Sequence, residues 1–238
     1  MFLIEGIAHV RQALDHQAEL ERIFYCPELL RSGSALAAVE RAQDQGVEAT
    51  VLGREPFESI VERDHPSGLA AVAVMHQRDL RELKPSPTAM IVGLVDIGNP
   101  GNLGSIIRTV DAVGGQAVVL MGESTDEYHP QAVKASMGTL FSVPVYRCAT
   151  PQGLVEWGAR VGLPVVTTSA RARQVLWDAQ LPDAAVYLFG SEAQGLGPEL
   201  VAAGQLSVAM PMEGVASSLN LAVAVGVVLY EVKRRRPA

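Results

Sequence analysis

The stretch MPMEGVASSLNLAVAVGVVLYE, residues 210–231, joins a polar turn of small residues to a long apolar segment. Pro211 and Gly214 predict a loop, because proline fixes φ and lacks a backbone donor while glycine allows backbone shapes that other residues resist. Three side chains that suit a helix N-cap precede the apolar segment: Ser217, Ser218 and Asn220. Residues 221–229 are apolar on nearly every side, so as a helix they should be buried almost completely, in a core or against a partner subunit. The stretch therefore predicts a turn and a helix start pressed into the protein interior, where a ligand would meet backbone groups.

The composition indicates an α/β protein of two domains. The chain has 238 residues, 48% of them apolar, which is enough for a sizeable core. Cys26 and Cys148 lack metal-ligand spacing, which predicts two reduced thiols and no metal site. No stretch reaches the roughly 18 apolar residues of a membrane span, and Glu5 and His9 interrupt the region where a signal peptide would be apolar. We therefore expect a cytoplasmic protein that makes no contact with a membrane.

The net charge of −7 argues weakly against a large nucleic-acid footprint, since phosphate binding draws on clustered lysine and arginine. The acidity lies near the beginning of the chain, where residues 1–77 hold six arginines and twelve acidic residues. Arg171, Arg173 and the run KRRR at 233–236 are candidates for phosphate contact. The KRRR run fits equally well a solvated helix end that complements the helix dipole.

Residues 1–77 alternate between helical and strand patterns, which predicts a small α/β domain. The expected helices cover 6–20, 34–45 and 56–62, and the expected strands cover 22–25, 47–52 and 69–75. The charged segment RDLRELKPSPT at 78–88 carries two closely spaced prolines, a composition typical of a linker. We place the domain boundary there.

Residues 89–238 alternate regularly between strand and helix, which predicts a parallel or mostly parallel sheet covered on both faces. The expected strands cover 89–95, 116–121, 143–147, 164–168, 185–189 and 206–210. The expected helices cover 105–113, 129–137, 154–161, 198–203 and the C-terminal apolar segment. In such sheets ligands bind at the carboxyl ends of the strands.

Two further loops follow predicted strands and contain residues suited to ligand binding. In NPGNLGSIIR, residues 99–108, glycines allow close backbone approach, and Arg108 is expected one turn inside the next helix, where it would hold a phosphate or a developing negative charge. In FGSEAQGLG, residues 189–197, three glycines surround the carboxylate of Glu192. Pro198 follows where a long helix should begin, so this is not the GxGxxG dinucleotide fingerprint. Taken singly, each loop has an ordinary interpretation. Arg108 would be a surface arginine on an amphipathic helix, and residues 189–197 would be a common glycine-rich turn after a strand.

Taken in order, the three loops resemble the motifs of the SpoU, or TrmH-like, RNA ribose methyltransferases of the SPOUT superfamily. The pattern N-x-G-x-x-x-R lies at 102–108, G-x-E-x-x-G at 190–195 and P-M-x-G-x-x-x-S-L-N at 211–220. The resemblance covers residues 89–238. Family members often have Val-Ser after the Ser-Leu-Asn, where this chain has Leu221 and Ala222. Residues 1–77 resemble, less specifically, the small α/β RNA-binding domain of ribosomal-protein type that many members carry in front.

The resemblance implies methyl transfer from S-adenosylmethionine to a ribose 2′-hydroxyl of RNA. It also implies a homodimer. In each chain the C-terminal part of the fold would be tied in a deep trefoil knot, an exception to the rule that chains do not thread through their own loops. The implied cofactor contacts are Gly190, Met210 and Leu219. The residues implied in catalysis, or in holding the site, are Asn102, Arg108, Glu192, Ser218 and Asn220. In the family the arginine faces a cofactor bound by the other subunit, and the 221–229 helix with Ile106 and Ile107 would pack in or near that interface.

The chemistry of arginine restricts the role of Arg108. A guanidinium stays protonated above pH 12, which argues against a general base. We therefore expect Arg108 to hold an RNA phosphate and to stabilise the forming alkoxide.

We expect ribosomal RNA as the substrate, because a separate N-terminal domain suggests recognition of a folded site, with transfer RNA as the alternative. Two other classes remain open: a scaffold that binds RNA without catalysis, and a nucleotide-dependent α/β enzyme. The absence of a P-loop and of GxGxxG argues against the last.

Overall fold

The computed structural model describes residues 1–62 and 65–236, which form two β-sheets. The N-terminal sheet has the strand order β1-β4-β2-β3. Its strands are β1 Phe2–Glu5, β2 Leu20–Tyr25, β3 Glu48–Val51 and β4 Leu69–Ala73, and its helices are α1 Ile7–Asp15, α2 Gly33–Asp44 and α3 Arg54–Ile60. β4 pairs antiparallel with β1 and β2, whereas β2 and β3 are parallel. The sequence did not predict β1, because four residues at an edge are defined by their pairing with distant β4 rather than by local pattern.

The large sheet has eight strands in the order β10-β12-β9-β11-β6-β7-β8-β5, and every pair in it is parallel. Its strands are β5 Arg78–Asp79, β6 Met90–Val95, β7 Ala117–Met121, β8 Val145–Cys148, β9 Val165–Thr168, β10 Gln174–Val175, β11 Ala185–Phe189 and β12 Leu206–Ala209. Its helices are α4 Pro100–Val113, α5 Pro130–Ser136, α6 Pro151–Val161, α7 Pro198–Ala203 and α8 Leu221–Arg235. The prediction of a parallel α/β sheet is confirmed.

Both faces of the large sheet are covered, as the continuous apolar strands predicted. Alternate residues of β6 enter two separate apolar cores, with Val92 in one and Ile91 in the other. The first core contains apolar residues of α4 and α8, and the second contains Leu154 and Trp157 of α6. β6 is therefore buried along its whole length.

The segment expected as a linker, 78–88, begins with two residues that belong to the large sheet. Arg78 and Asp79 form β5 beside β8, and Leu80 and Leu83 are buried. A capping box between Asp79 and Glu82 closes the short turn that follows β5. The boundary between the two domains stays a prediction.

The C-terminal stretch is more exposed than the sequence predicted. Val225 and Val228 are fully buried on one face of α8, but Val223 and Tyr230 on the other face are 52% and 56% exposed. Residues 211–220 are all exposed, so the prediction that this turn is pressed into the interior is wrong for the single chain.

Ile106 and Ile107 are fully buried in the core of this chain. Their position in or near a subunit interface stays a prediction. Within residues 1–62 and 65–236, no helix combines the length and the hydropathy that a membrane crossing requires.

Candidate active site

The three loops singled out from the sequence lie at the same edge of the large sheet. β6, β11 and β12 belong to one run of parallel strands, so their carboxyl ends point in the same direction. The first loop follows β6 and leads into α4, the second follows β11, and the third joins β12 to α8. This edge is where ligands bind in open parallel sheets.

A chain of hydrogen bonds joins the three loops. The Asn102 Nδ2 donates to Glu192 Oε1 at 2.7 Å, and the Asn220 Nδ2 donates to Asn102 Oδ1 at 3.1 Å. The partners are 90 and 118 residues apart in sequence, so only folding brings them together. We call Glu192, Asn102 and Asn220 the polar triad.

Asn220 also caps α8. Its Oδ1 accepts from the backbone N–H groups of Ala222 at 3.0 Å and Val223 at 3.3 Å. Of the three N-cap candidates in the sequence, the structure selects this one. Because the carbonyl oxygen faces the helix, the amide nitrogen is free to donate to Asn102, and one side chain fixes both the helix start and its link to the first loop.

The second loop turns back on itself at the carboxyl end of β11. The Gly195 N–H donates to the Ser191 carbonyl at 2.9 Å, which closes the turn below Glu192. Gly190 is buried, and a Cβ there would overlap with the backbone of Gly195. The close approach therefore requires glycine at 190 and leaves backbone groups at the sheet edge.

The residues expected to contact a cofactor differ in exposure. Met210 is half-buried, whereas Leu219 has 38% of its surface exposed. Met212, with 36% exposed, lies in the same open loop. Ser218 is exposed, and within the part of the chain that the structure describes it joins no hydrogen bond of the polar triad.

Arg108 lies deeper in its helix than the sequence predicted. α4 begins at Pro100, five residues before the expected start, so Arg108 is about two turns from the N-terminus rather than one. Asn99 provides the N-cap, its Oδ1 accepting from Asn102 N at 3.1 Å. The Arg108 side chain is exposed, and it makes no hydrogen bond or ion pair to any residue in the described ranges. It is therefore an exposed cation on α4 that takes no part in the polar triad.

Sequence reasoning missed Asp96, which supports the first loop. It adopts a left-handed φ of 53°, uncommon for a residue other than glycine, and its Oδ1 accepts from Glu123 N at 2.8 Å. The carboxylate thus ties the end of β6 to the loop that follows β7. The only signal in the sequence was an acidic residue placed directly after an apolar strand.

None of the residues that the structure describes form a group of three or more His, Cys, Asp or Glu side chains able to hold a metal ion. The site therefore consists of backbone at glycine turns, a hydrogen-bonded amide and carboxylate chain, and an unpaired arginine. Such a set is suited to binding a small organic cofactor and an anionic polymer.

This combination of a parallel sheet and three loops at its carboxyl edge defines the class of the SPOUT-like methyltransferases. Residues 89–230 match the sequence model of the SpoU rRNA Methylase family, and residues 1–71 match that of the MRM3-like substrate binding domain. The chain belongs to the SpoU rRNA methylase family, whose members are S-adenosylmethionine-dependent RNA methyltransferases.

Relatives match over nearly the whole chain. The 23S rRNA (uridine(2479)-2′-O)-methyltransferase of Streptomyces viridochromogenes is 30% identical, covering 99% of this chain and 83% of the relative. The 23S rRNA (guanosine(2553)-2′-O)-methyltransferase RlmP of Bacillus subtilis is 29% identical, covering 98% and 88%. The crystal structure of an AdoMet-bound rRNA methyltransferase from Sinorhizobium meliloti has a TM-score of 0.88 at 29% identity, covering 100% of this chain and 88% of that one.

Proposed function

We propose that this protein transfers a methyl group from S-adenosylmethionine to a ribose 2′-hydroxyl of ribosomal RNA. The observation that carries the proposal is the polar triad, which unites the three loops in a chain that belongs to the SpoU family. Ribosomal rather than transfer RNA is favoured by the two full-length relatives named as 23S rRNA methyltransferases.

The residues at the sheet edge fit S-adenosylmethionine. Gly190 packs directly against the backbone of Gly195 and so fixes the turn of the second loop, and Met210 and Leu219 offer apolar surface and backbone groups beside it. When bound, the cofactor supplies an electrophilic methyl group on sulfur. Asn220 and Glu192 keep the second and third loops in register through Asn102, so that this surface stays assembled.

The ribose hydroxyl must then be placed in line with the methyl group, and placement of this kind can be worth about 7–11 kcal/mol. Arg108 is exposed on α4, and in the proposed dimer its planar guanidinium would hold an RNA phosphate in a fixed orientation beside the cofactor bound by the other subunit. The same charge would stabilise the alkoxide as it forms. Ser218, exposed in the third loop, completes the set of side chains available to the substrate.

RNA recognition is assigned to residues 1–77 despite their acidity. Three of their arginines are neutralised in ion pairs with carboxylates: Arg22 with Glu48, Arg41 with Asp15, and Arg54 with Glu58. Arg11 and Arg31 are exposed and form no ion pair within the described ranges. RNA is often recognised by shape and by unpaired bases, so two free cations on such a domain are compatible with the role.

The proposal includes a homodimer and a C-terminal trefoil knot. α8 exposes Val223 and Tyr230, with the partly buried Val227 between them on the same stripe at helical spacing, and a second subunit would cover them. Sedimentation equilibrium tests the dimer: wild-type protein should sediment as a dimer and Val223→Glu as a monomer. A monomeric wild-type protein would contradict this part of the proposal.

Mapping of ribose methylation tests the function. RNA from cells with and without the gene should differ at one 2′-O-methyl position in ribosomal RNA. Loss of a methyl group from transfer RNA instead would show the other substrate. No loss anywhere, together with no heat of S-adenosylmethionine binding in titration calorimetry, would show a scaffold without catalysis.

A further inference from the structure

Tyr128 fastens the N-terminal sheet to the large sheet. It lies in the loop of residues 122–129 that joins β7 to α5. Its hydroxyl accepts from the His76 backbone N–H at 3.0 Å and donates to the His76 carbonyl at 2.9 Å. Its ring also packs against Phe2 of β1, with the ring centroids 4.6 Å apart. One side chain thus contacts β1 through its ring and the segment after β4 through two hydrogen bonds.

The junction around Tyr128 is open on two sides. Two adjoining clefts run along it, and both are lined by Arg78 and Tyr128. Further contacts across the junction include Phe2 against Phe141, with centroids 6.3 Å apart, and a 3.3 Å hydrogen bond between the His9 ring and the Lys134 carbonyl. One apolar core also crosses the junction, with Phe2 and Val10 on one side and Val133 and Leu140 on the other, so the contacts of Tyr128 add a polar, directional link to a packed interface.

The other end of the same loop is bonded to the first catalytic loop. The Thr125 N–H donates to the Ile97 carbonyl at 2.8 Å, and the Ile97 N–H donates to Ser124 Oγ at 3.2 Å. The Asp96 carboxylate accepts from Glu123 N. Ile97 is five residues before Asn102, the central member of the polar triad. Residues 122–128 therefore touch the N-terminal sheet at one end and the catalytic loop at the other.

We propose that residues 122–128 form a coupling loop, with Tyr128 as the positioning residue that sets the distance and angle between bound RNA and the polar triad. This rests on the proposed function, in which the N-terminal part holds RNA. The hydrogen-bond partner of Tyr128, His76, lies in the segment that joins the two regions, because it falls between the family matches at 1–71 and 89–230. A small misplacement at this junction would move the target ribose away from the methyl donor and slow the reaction.

Hydrogen–deuterium exchange of the protein alone tests the coupling without RNA. Tyr128→Phe keeps the ring and removes both hydrogen bonds to His76. We expect amides in residues 72–77 and 96–104 to exchange at least about fivefold faster, since each lost hydrogen bond is worth about 1 kcal/mol. Tyr187→Phe is the matched control, because the Tyr187 hydroxyl donates to the Pro182 carbonyl at 3.1 Å within the large domain. Unchanged exchange at 96–104 in Tyr128→Phe, or equal acceleration in both variants, overturns the proposal.

Kinetics with protein-free 23S rRNA from cells that lack the gene give the second readout. Tyr128→Phe should lower kcat for this RNA about five- to tenfold, because bound RNA is misplaced, while the affinity for S-adenosylmethionine in calorimetry is unchanged. Faster exchange with wild-type KM and kcat would also overturn the positioning role. If the wild-type enzyme methylates no ribosomal RNA, the proposed function fails, and the exchange experiment alone decides whether the coupling loop exists.

Discussion

The two ends of α8 are held in opposite ways. Its N-terminus is held by one asparagine, and the ten residues before the helix are all exposed. Near its C-terminus, Arg235 donates to the carbonyls of Leu176 at 3.0 Å, Trp177 at 2.7 Å and Ala179, and also to Glu231 at 2.6 Å. Leu176 and Ala179 are fully buried. The first end is exposed, and the second is held by hydrogen bonds to buried residues.

We therefore expect the N-terminal end of α8 to matter for function and its C-terminal end to matter for stability. Open backbone and exposed side chains are needed where a cofactor and RNA bind, and they contribute little to the core. Buried carbonyls at the other end must be satisfied, and the Arg235 guanidinium satisfies those of Leu176 and Ala179, with a third bond to the carbonyl of the exposed Trp177. Substitutions at the two ends should therefore change different measurements.

The largest effect is expected at the open end. Asn220→Ala removes the bond to Asn102 and should lower kcat/KM for RNA methylation by about a hundredfold, since misplaced reacting groups cost that order. The lost cap should cost only about 1 kcal/mol of unfolding free energy. Methylation assays and urea denaturation measure the two separately.

Asn220→Ser is the matched control, because serine is an equally good N-cap but cannot replace the amide donor to Asn102. It should be as stable as the wild type and as impaired as Asn220→Ala. A fully active Asn220→Ser enzyme would show that the polar triad is not needed.

The next effect is expected at the closed end. Arg235→Ala leaves buried carbonyls without a donor and should lower the unfolding free energy by about 2 kcal/mol, which corresponds to a Tm lower by roughly 5 °C. Its kcat per folded molecule should be that of the wild type. Arg234→Ala is the control, because Arg234 is exposed and bonds only to Glu231. Equal stability of the two variants would remove the distinction between the two ends.

A smaller effect is expected at Arg108. Arg108→Lys keeps the charge but loses the planar fork, so kcat/KM for RNA should fall about tenfold with stability unchanged. Arg160→Lys, an exposed arginine on α6, should be indistinguishable from the wild type. Near wild-type methylation by Arg108→Lys would contradict the phosphate-holding role.

The smallest effect is expected in acid. Hydrogen bonds from Arg234 and then Arg235 lower the pKa of Glu231 to about 2. A carboxyl whose pKa is lowered on folding stabilises the protein above its unfolded pKa, and this stabilisation is lost as the pH falls through the folded pKa. The stability difference between wild type and Glu231→Gln should therefore be constant near neutral pH and shrink between about pH 4.5 and 2. Urea denaturation at pH 7, 4.5 and 3 measures this, and a pH-independent difference would exclude the linkage.

Local pattern predicted most elements of the large sheet. The continuous apolar runs at 90–95 and 185–189 are strands in the structure, because strands buried on both faces carry no polar residues. Local pattern did not predict β5 and β10, which have two residues each and exist only through pairing with β8 and β12. It also left open the role of the KRRR run at 233–236, where the structure shows Arg235 bonded to the carbonyls of Leu176 and Trp177, 59 and 58 residues earlier in the chain.

The sequence by itself determined the family, the parallel sheet and the identity of the three loops. Glycine, asparagine and proline set the local backbone conformation wherever they occur, so their effect can be read without the tertiary structure. Only the tertiary structure decided that Asn102 bonds to both Glu192 and Asn220, and that Arg108 makes no bond to this polar triad. It also decided that the turn before α8 is open while the far end of α8 is clamped. These are contacts between residues up to 118 positions apart, and their geometry is set by sheet order and helix packing, which local pattern does not contain.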